Sequence, residues 1–153
     1  MARQLVLDTN LLVVYIVGLT DKRQVGIHRK TKGYDADDFE RIGRIVGQHS
    51  GLVINPNVLT ETSNLIRMTN EPLRSQLTAN LSKIISSSME TYIPSNVAVQ
   101  RQEYLRLGLT DSVLLELTVS SAFLLTTDLG LYLAAANAKL PVENYNHIKE
   151  RYL

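Results

Sequence analysis

Short apolar runs alternate with longer helical patterns along this chain of 153 residues. The apolar runs predict buried strands at residues 4–7, 52–54, 91–93, 123–126 and 141–145. Strands that are joined through helices pair in parallel, with helices packed on both faces of the sheet. The pattern therefore predicts an α/β fold, in which functional groups gather at the carboxyl ends of the strands.

Helical periodicity and capping residues place the other elements. Helices are predicted at residues 10–19, 35–48, 56–66, 72–85, 95–107, 111–121, 129–138 and 147–153. Residues 20–34 are polar and basic and contain glycine, which predicts a loop. A loop of that length in a compact domain often carries function.

Composition limits the class of protein. A chain of 17.1 kDa with 44% hydrophobic and 20% charged residues is expected to form one soluble domain, spanning residues 1–153. The absence of cysteine excludes disulfides and thiolate metal sites, and it fits a cytoplasmic location. Asp8 interrupts the first apolar run, which makes it a poor signal peptide, and residues 11–19 are too few to cross a bilayer. No membrane association is expected.

Four acidic residues stand where strands end or helices begin. Asp8 and Asp128 directly follow apolar runs, and Glu61 and Asp111 lie near the starts of helices. Carboxylates gathered at one sheet edge repel one another unless a cation neutralises them, and oxygen-only ligands suit Mg²⁺ or Mn²⁺. The arrangement predicts a metal-dependent nuclease. Each acid also has a plainer interpretation, because the three aspartates are in positions to cap helices and a helical glutamate is usually solvated.

A basic segment at residues 22–32 interrupts an otherwise balanced chain, whose formal net charge is +1. We predict that this segment contacts nucleic-acid phosphates beside the acidic site. The alternative is an ordinary solvated loop. The residues concerned are Lys22, Arg23, Arg29, Lys30 and Lys32.

The chain resembles the PIN-domain family of nucleases over nearly its whole length. The matching segments are LVLDTN (5–10), VLTE (58–61), LTDS (109–112) and LLTTD (124–128), in the family's order and spacing. The resemblance implies a Rossmann-like three-layer α/β/α sandwich with a five-stranded parallel sheet. It also implies cleavage of RNA that depends on Mg²⁺ or Mn²⁺.

The resemblance also implies roles for individual residues. The catalytic and metal-binding acids would be Asp8, Glu61, Asp111 and Asp128, supported by Asn10 and Thr126. Many bacterial and archaeal relatives are toxins of toxin–antitoxin pairs and form homodimers. A homodimer is therefore expected, with the apolar face of residues 73–85 as its candidate interface, and an antitoxin partner stays open.

The chain departs from the family pattern after Asp128. Many relatives carry another acid shortly after the fourth one, but residues 129–132 read Leu-Gly-Leu-Tyr, so the number of bound ions stays open at one or two.

The chemistry of phosphodiester cleavage suggests different roles for the four acids. Asp8 and Asp128 are the expected direct ligands, because strand ends are rigid supports. Asp111 would be a further ligand, either direct or through water, and Glu61 would orient or deprotonate the attacking water or complete a second ion site. Two alternatives stay open: a non-catalytic RNA-binding or scaffold protein on the same fold, and a structure-specific DNA nuclease or small phosphatase.

Overall fold

The structure is a computed structural model that describes residues 3–120 and 122–152. It is an α/β fold with parallel strands. In chain order the elements are β1 (Gln4–Leu7), α1 (Thr9–Thr20), α2 (Ala36–Gly47), β2 (Val53–Ile54), α3 (Pro56–Ile66), α4 (Leu73–Ser87), β3 (Met89–Glu90), α5 (Ser95–Ala98), α6 (Tyr104–Leu107), α7 (Leu109–Val119), β4 (Ala122–Thr126), α8 (Leu129–Asn137), β5 (Val142–Asn144) and α9 (Tyr145–Glu150).

The strands form two parallel sheets that touch at one point. A three-stranded sheet has the order β1-β4-β5, and β2 pairs with β3 in a two-stranded sheet. Leu5 of β1 bridges to Leu52, and the Leu5 N–H donates a 2.8 Å hydrogen bond to the carbonyl of Gly51. Within the described residues, the five strands therefore form a three-stranded and a two-stranded sheet rather than the single five-stranded sheet that was expected. Strand β2 stays short because Asn55 already caps α3 and Pro56 begins it.

Two elements differ from their sequence predictions. Strand β3 lies at Met89–Glu90 rather than at 91–93, because those two residues are the ones that pair with β2. The single helix predicted at 95–107 is two short helices, α5 and α6. Between them Arg101 turns back to form ion pairs with Glu103 at 3.0 Å and Glu116 at 2.9 Å.

The other helices and strands lie within a few residues of their predicted positions. Helix α7 begins at Leu109, with Gly108 as its N-cap residue, rather than at Asp111. The last helix, α9, covers Tyr145–Glu150. The predicted helix ends at Ser121 and Leu153 lie outside the described residues.

The core surrounds β1, whose consecutive residues Leu5, Val6 and Leu7 are all buried. Both faces of this strand are therefore covered, as is usual for parallel sheets. Helix α1 packs against α2, α3 and α4, and α7 packs against β1 and β4. No helix within the described ranges combines the length and apolar content needed to cross a bilayer.

The predicted dimer interface on α4 is largely occupied by the protein's own core. Leu77, Leu81 and Ile84 are buried, so the apolar face of this helix points inward. Ile85 is 37% exposed at its border. The apolar periodicity of residues 73–85 therefore reflects packing of this helix against the protein's own core. The predicted dimer interface on this face is not retained.

Residues 21–34 are folded rather than extended. They begin with a 3₁₀ helix at Lys22–Gln24. Buried Thr31 donates a hydrogen bond to the carbonyl of Val25, and the ring of His28 contacts the hydroxyl of Thr69. These internal contacts hold the predicted loop against the domain and replace the structureless connection expected from its composition.

Candidate functional site

The carboxyl ends of β1 and β4 bring two of the four acids together. The strands pair in register, with Leu7 opposite Leu125. Asp8 follows β1 directly, and its backbone N–H donates a 3.2 Å hydrogen bond to the Leu125 carbonyl. Asp128 follows β4 after Thr127 and caps helix α8. The parallel register therefore places both aspartates at the same edge of the sheet.

A pocket of about 420 Å³ opens at this edge, and all four predicted acids line it. Its walls come from the starts of α1, α7 and α8 and from the middle of α3. The lining residues are Asp8, Thr9, Asn10, Glu61, Asn64, Leu65, Thr110, Asp111, Leu114, Asp128 and Leu131. The acids that the sequence places far apart thus share one concave surface.

Asp8 is buried and tightly held. One carboxylate oxygen accepts the Leu11 N–H at 2.9 Å, which caps α1. The other accepts the Thr126 hydroxyl at 2.5 Å and the Thr127 N–H at 2.8 Å. Burial raises the pKa of Asp8, and nearby Asp128 adds to the rise, while the three hydrogen bonds oppose it. The orientation of this carboxylate is fixed from both of its oxygens.

Asp128 and Asp8 are linked through Thr126. The Thr126 hydroxyl donates to Asp8 and accepts the backbone N–H of Asp128 at 3.0 Å. Oδ1 of Asp128 accepts the Leu131 N–H at 2.8 Å. The plainer helix-cap interpretation therefore holds for Asp8 and Asp128 alongside their place in the pocket, because capping occupies only some of their acceptor positions.

Glu61 connects two helix starts across the pocket. Its two carboxylate oxygens accept hydrogen bonds of 2.8 Å each, from the hydroxyls of Thr9 and Thr110. Thr9 begins α1 and Thr110 lies in the first turn of α7, while Glu61 itself is on α3. The side chain is thus held in place, although a helical glutamate is usually solvated.

Asp111 is the least satisfied of the four acids. Its pKa is raised from an ordinary 3.8 to about 6, mainly by burial and then, in decreasing order, by the negative charges of Asp128, Asp8 and Glu61. Within residues 3–120 and 122–152 its carboxylate accepts no hydrogen bond and forms no ion pair. It lies in the first turn of α7 without capping it. This group would gain most from a cation.

The acids do not converge on a single point. Among the described residues, no three His, Cys, Asp or Glu side chains stand close enough together to hold a metal ion. The four carboxylates nevertheless fit a hard cation, because they offer oxygen ligands. The negative charges of the other three also raise the pKa of Asp111, and a cation would offset that repulsion. Mg²⁺ commonly takes one or two carboxylates and keeps several waters, so three converging ligands are not required.

Sequence reasoning missed several polar residues of the pocket. Thr9 and Thr110 position Glu61, and Asn64 lies on α3 three residues after Glu61. Helical spacing from Glu61 was the available signal for Asn64. Asn10, predicted as a supporting residue, lines the pocket, but it forms no hydrogen bond with an acid within the described part of the chain.

The basic segment does not line the pocket. Lys22 pairs with Glu40 at 2.7 Å and Arg23 with Asp21 at 3.1 Å, while Arg29, Lys30 and Lys32 form no ion pair within the described ranges. Three of the five residues predicted to contact phosphate therefore have no ion-pair partner among the described residues.

Tyr34, at the end of the loop, reaches the site edge instead. Burial raises its pKa and the negative charge of Asp8 adds to the rise, while the side chain of Thr127 beside Asp8 opposes it.

The sequence matches no protein-family model and no curated protein. The structure is similar to the crystal structure of PAE2754 from Pyrobaculum aerophilum, with a TM-score of 0.57 and 18% sequence identity. The match covers 99% of this chain and 96% of that one. At this identity the likeness shows a shared fold, so the activity has to be argued from the site.

Proposed function

We propose that this protein is a divalent-metal-dependent endoribonuclease with a PIN-like, Rossmann-type α/β/α architecture. One observation carries the proposal: Asp111 is half-buried, lacks a partner among the described residues, and has its pKa raised to about 6 beside three other carboxylates. Unpaired acids that raise each other's pKa in a cleft are typical of functional sites. A divalent cation is the simplest group that would stabilise all four.

Asp111 and Asp128 would be the direct ligands of the ion, because Mg²⁺ commonly takes only one or two carboxylates, and the neighbouring negative charge of Asp8 would add to its attraction. Asp111 has its carboxylate oxygens unengaged within the described residues, and Oδ1 of Asp128 is engaged only in capping α8. When bound, Mg²⁺ or Mn²⁺ supplies a water of lowered pKa and neutralises charge on the phosphate. Thr126 keeps the carboxylate of Asp8 in one orientation through a direct hydrogen bond.

Glu61 would orient the attacking water or accept its proton. It lies across the pocket from the strand ends, and its two threonine contacts fix where its carboxylate stands. Each of its carboxylate oxygens accepts one hydrogen bond, so a second acceptor position on each is left for a water molecule or its proton. Glu61 is therefore both a link between helices and a candidate base.

A second candidate function is RNA binding without cleavage. It is favoured by the internal satisfaction of Glu61 and Asp8, each of which has both carboxylate oxygens hydrogen-bonded within the protein. In that case the acids mainly connect helices and strands. The protein would bind RNA in a salt-sensitive way and leave it intact.

Cleavage of labelled RNAs by wild-type protein and by Asp111→Asn tests the proposal. The panel contains single-stranded RNA, hairpin RNA, flapped DNA and a simple phosphate ester, each with Mg²⁺, Mn²⁺ or EDTA. Asp37→Asn is the matched control, because Asp37 is an exposed aspartate near the start of α2 and outside the pocket. We expect cuts with metal that EDTA and Asp111→Asn abolish and that Asp37→Asn retains.

The other results separate the alternatives. RNA bound but uncut with either metal would favour the binding protein. If flapped DNA is cut in preference to RNA, the substrate is DNA rather than RNA. Cleavage by Asp111→Asn at the wild-type rate would refute the site.

The resemblance also carries proposals about partners. We propose a homodimer, a cytoplasmic location and, if the protein is a toxin, an antitoxin that occludes the acidic pocket. A monomeric mass from solution scattering would refute the dimer. Co-expression with the product of the adjacent gene, followed by the cleavage assay, would show whether an inhibitor exists.

A further inference from the structure

Tyr92 is a large aromatic side chain presented to solvent beside the acidic pocket. It is 73% exposed, and its hydroxyl forms no hydrogen bond within the described residues. It follows β3, which runs parallel to β2, so it lies beyond the carboxyl end of that pair. An aromatic side chain left this exposed gains nothing from the hydrophobic core.

A second pocket of about 320 Å³ lies against Tyr92 and adjoins the acidic one. The two pockets share Thr110, whose hydroxyl donates to Glu61, and Thr60 of the second pocket precedes Glu61 on α3. A molecule that extends past Glu61 would therefore enter the second pocket.

The two pockets differ in charge. Four carboxylates line the first, whereas among the described residues no charged side chain lines the second. The second pocket offers the ring of Tyr92, the amide of Asn57 and the hydroxyls of Thr60 and Ser95. An uncharged surface with hydrogen-bonding groups and one aromatic face suits a nucleobase rather than a phosphate.

The backbone on both sides of Tyr92 is held in place. The Thr91 N–H donates a 2.8 Å hydrogen bond to the carbonyl of Ile54, which extends the pairing of β2 with β3. Pro94 follows two residues later and restricts the conformation of Ile93. Ring stacking on Tyr92 would therefore order only two side-chain torsions, which keeps its entropic cost low.

We propose that Tyr92 stacks an unpaired base of the strand whose phosphate lies at the acidic pocket. The substrate is then single-stranded nucleic acid at this position, because a base within a duplex does not expose its face. The assignment rests on the proposed nuclease function for the identity of the neighbouring pocket. Stacking itself needs neither cleavage nor a metal ion, so it can be measured separately.

Tyr92→Trp gives a direct reporter, because the chain contains no tryptophan. Its fluorescence is measured during titration with a short single-stranded RNA in EDTA at low ionic strength, and with the same RNA annealed to its complement. Tyr152→Trp is the matched control, since Tyr152 is 66% exposed and lines a different pocket beneath Arg41. We expect saturable quenching for Tyr92→Trp with the single strand alone.

Affinity provides the second measurement. Tyr92→Ala should weaken single-strand binding by about 5- to 150-fold, the range measured for loss of one stacked base, while Tyr152→Ala leaves it unchanged. With Mg²⁺ or Mn²⁺, Tyr92→Ala should raise KM and largely preserve kcat. Circular dichroism of each variant establishes that it is folded.

The outcomes separate the two proposals. Equal quenching of both reporters, quenching by the duplex, or no quenching of Tyr92→Trp would overturn stacking at Tyr92. In any of those cases metal-dependent cleavage that Asp111→Asn abolishes would leave the nuclease assignment intact. Specific quenching with no cleavage in any lane would retain the single-strand site and overturn the nuclease.

Discussion

Thr126 donates a 2.5 Å hydrogen bond to the buried carboxylate of Asp8, across two parallel strands and 118 positions of sequence. The same hydroxyl accepts the N–H of Asp128 at 3.0 Å. One side chain thus fixes the position of two acids of the pocket. The strength of this link is open to direct measurement.

Thr126→Val should destabilise the protein by about 1–3 kcal/mol, because it keeps the side-chain shape and leaves a buried carboxylate oxygen with one donor fewer. Urea denaturation at neutral pH measures the loss. The control is Thr118→Val, which removes a buried hydroxyl that donates to the Leu114 carbonyl within α7. A cost for Thr126→Val no greater than that of the control would contradict the importance of this link.

Asp111 makes stability depend on pH in an unusual direction. Its folded-state pKa of about 6 lies above the ordinary 3.8, so between these pH values the native state binds more protons than the unfolded state. Its contribution therefore weakens the protein as the pH rises through this window. Asp111→Asn should be more stable than wild type at pH 7 and should lose that advantage near pH 4.

Thermal unfolding of both proteins across this range measures the difference. Asp8, whose pKa is also raised by burial, acts in the same direction in both proteins, so the burial part of its contribution is common to both. Asp37→Asn, with its exposed carboxylate, should parallel wild type throughout. An advantage of Asp111→Asn that is constant with pH would contradict the raised pKa.

Mg²⁺ should stabilise the wild-type protein at pH 7, because it binds the acids only when the fold brings them together. At a free concentration of about 100 times Kd the gain is about 2.7 kcal/mol. Asp111→Asn should show a much smaller rise in Tm, and EDTA should reverse the effect. An equal rise in both proteins would place the ion outside this pocket.

Glu61→Gln separates the charge of Glu61 from its hydrogen bonds. A glutamine amide can accept from one threonine hydroxyl and donate to the other, so Thr9 and Thr110 should keep their contacts and the variant should remain as stable as wild type. Cleavage should be lost with the carboxylate. Glu61→Ala should lose both stability and cleavage, and wild-type cleavage by Glu61→Gln would reduce Glu61 to a structural link.

The cations of the basic segment that form no ion pair within the described ranges should govern the salt dependence of RNA binding. Replacing Arg29, Lys30 and Lys32 by glutamine should reduce the slope of log K against log salt by about 2 for a single strand. Lys22→Gln combined with Arg23→Gln should change it less, because Glu40 and Asp21 already offset these charges. Equal slopes in all three proteins would identify the segment as a solvated loop.

Much of the local structure is determined by local sequence. Pro56 at the start of α3, the reciprocal Asp35–Asp38 capping box of α2 and the buried run before Asp8 are short-range signals, and the predicted elements follow them. The four acids could likewise be named in advance, although Glu61 lies in the middle of α3 rather than near its start. Their gathering in one pocket follows from a parallel sheet, whose carboxyl ends share one edge.

Only the tertiary structure determined which hydrogen-bond partners each acid has. The pairing of β1 with β4 brings Thr126 to Asp8, and the packing of α3 near the starts of α1 and α7 gives Glu61 its two threonine partners. Packing also turned the apolar face of α4 inward and gave Glu116 a partner in Arg101. Sequence alone determines which residues are acidic or apolar, but contacts between residues far apart in the sequence determine which carboxylates find partners. Of the four acids, Asp111 is the one whose carboxylate has no partner among the described residues.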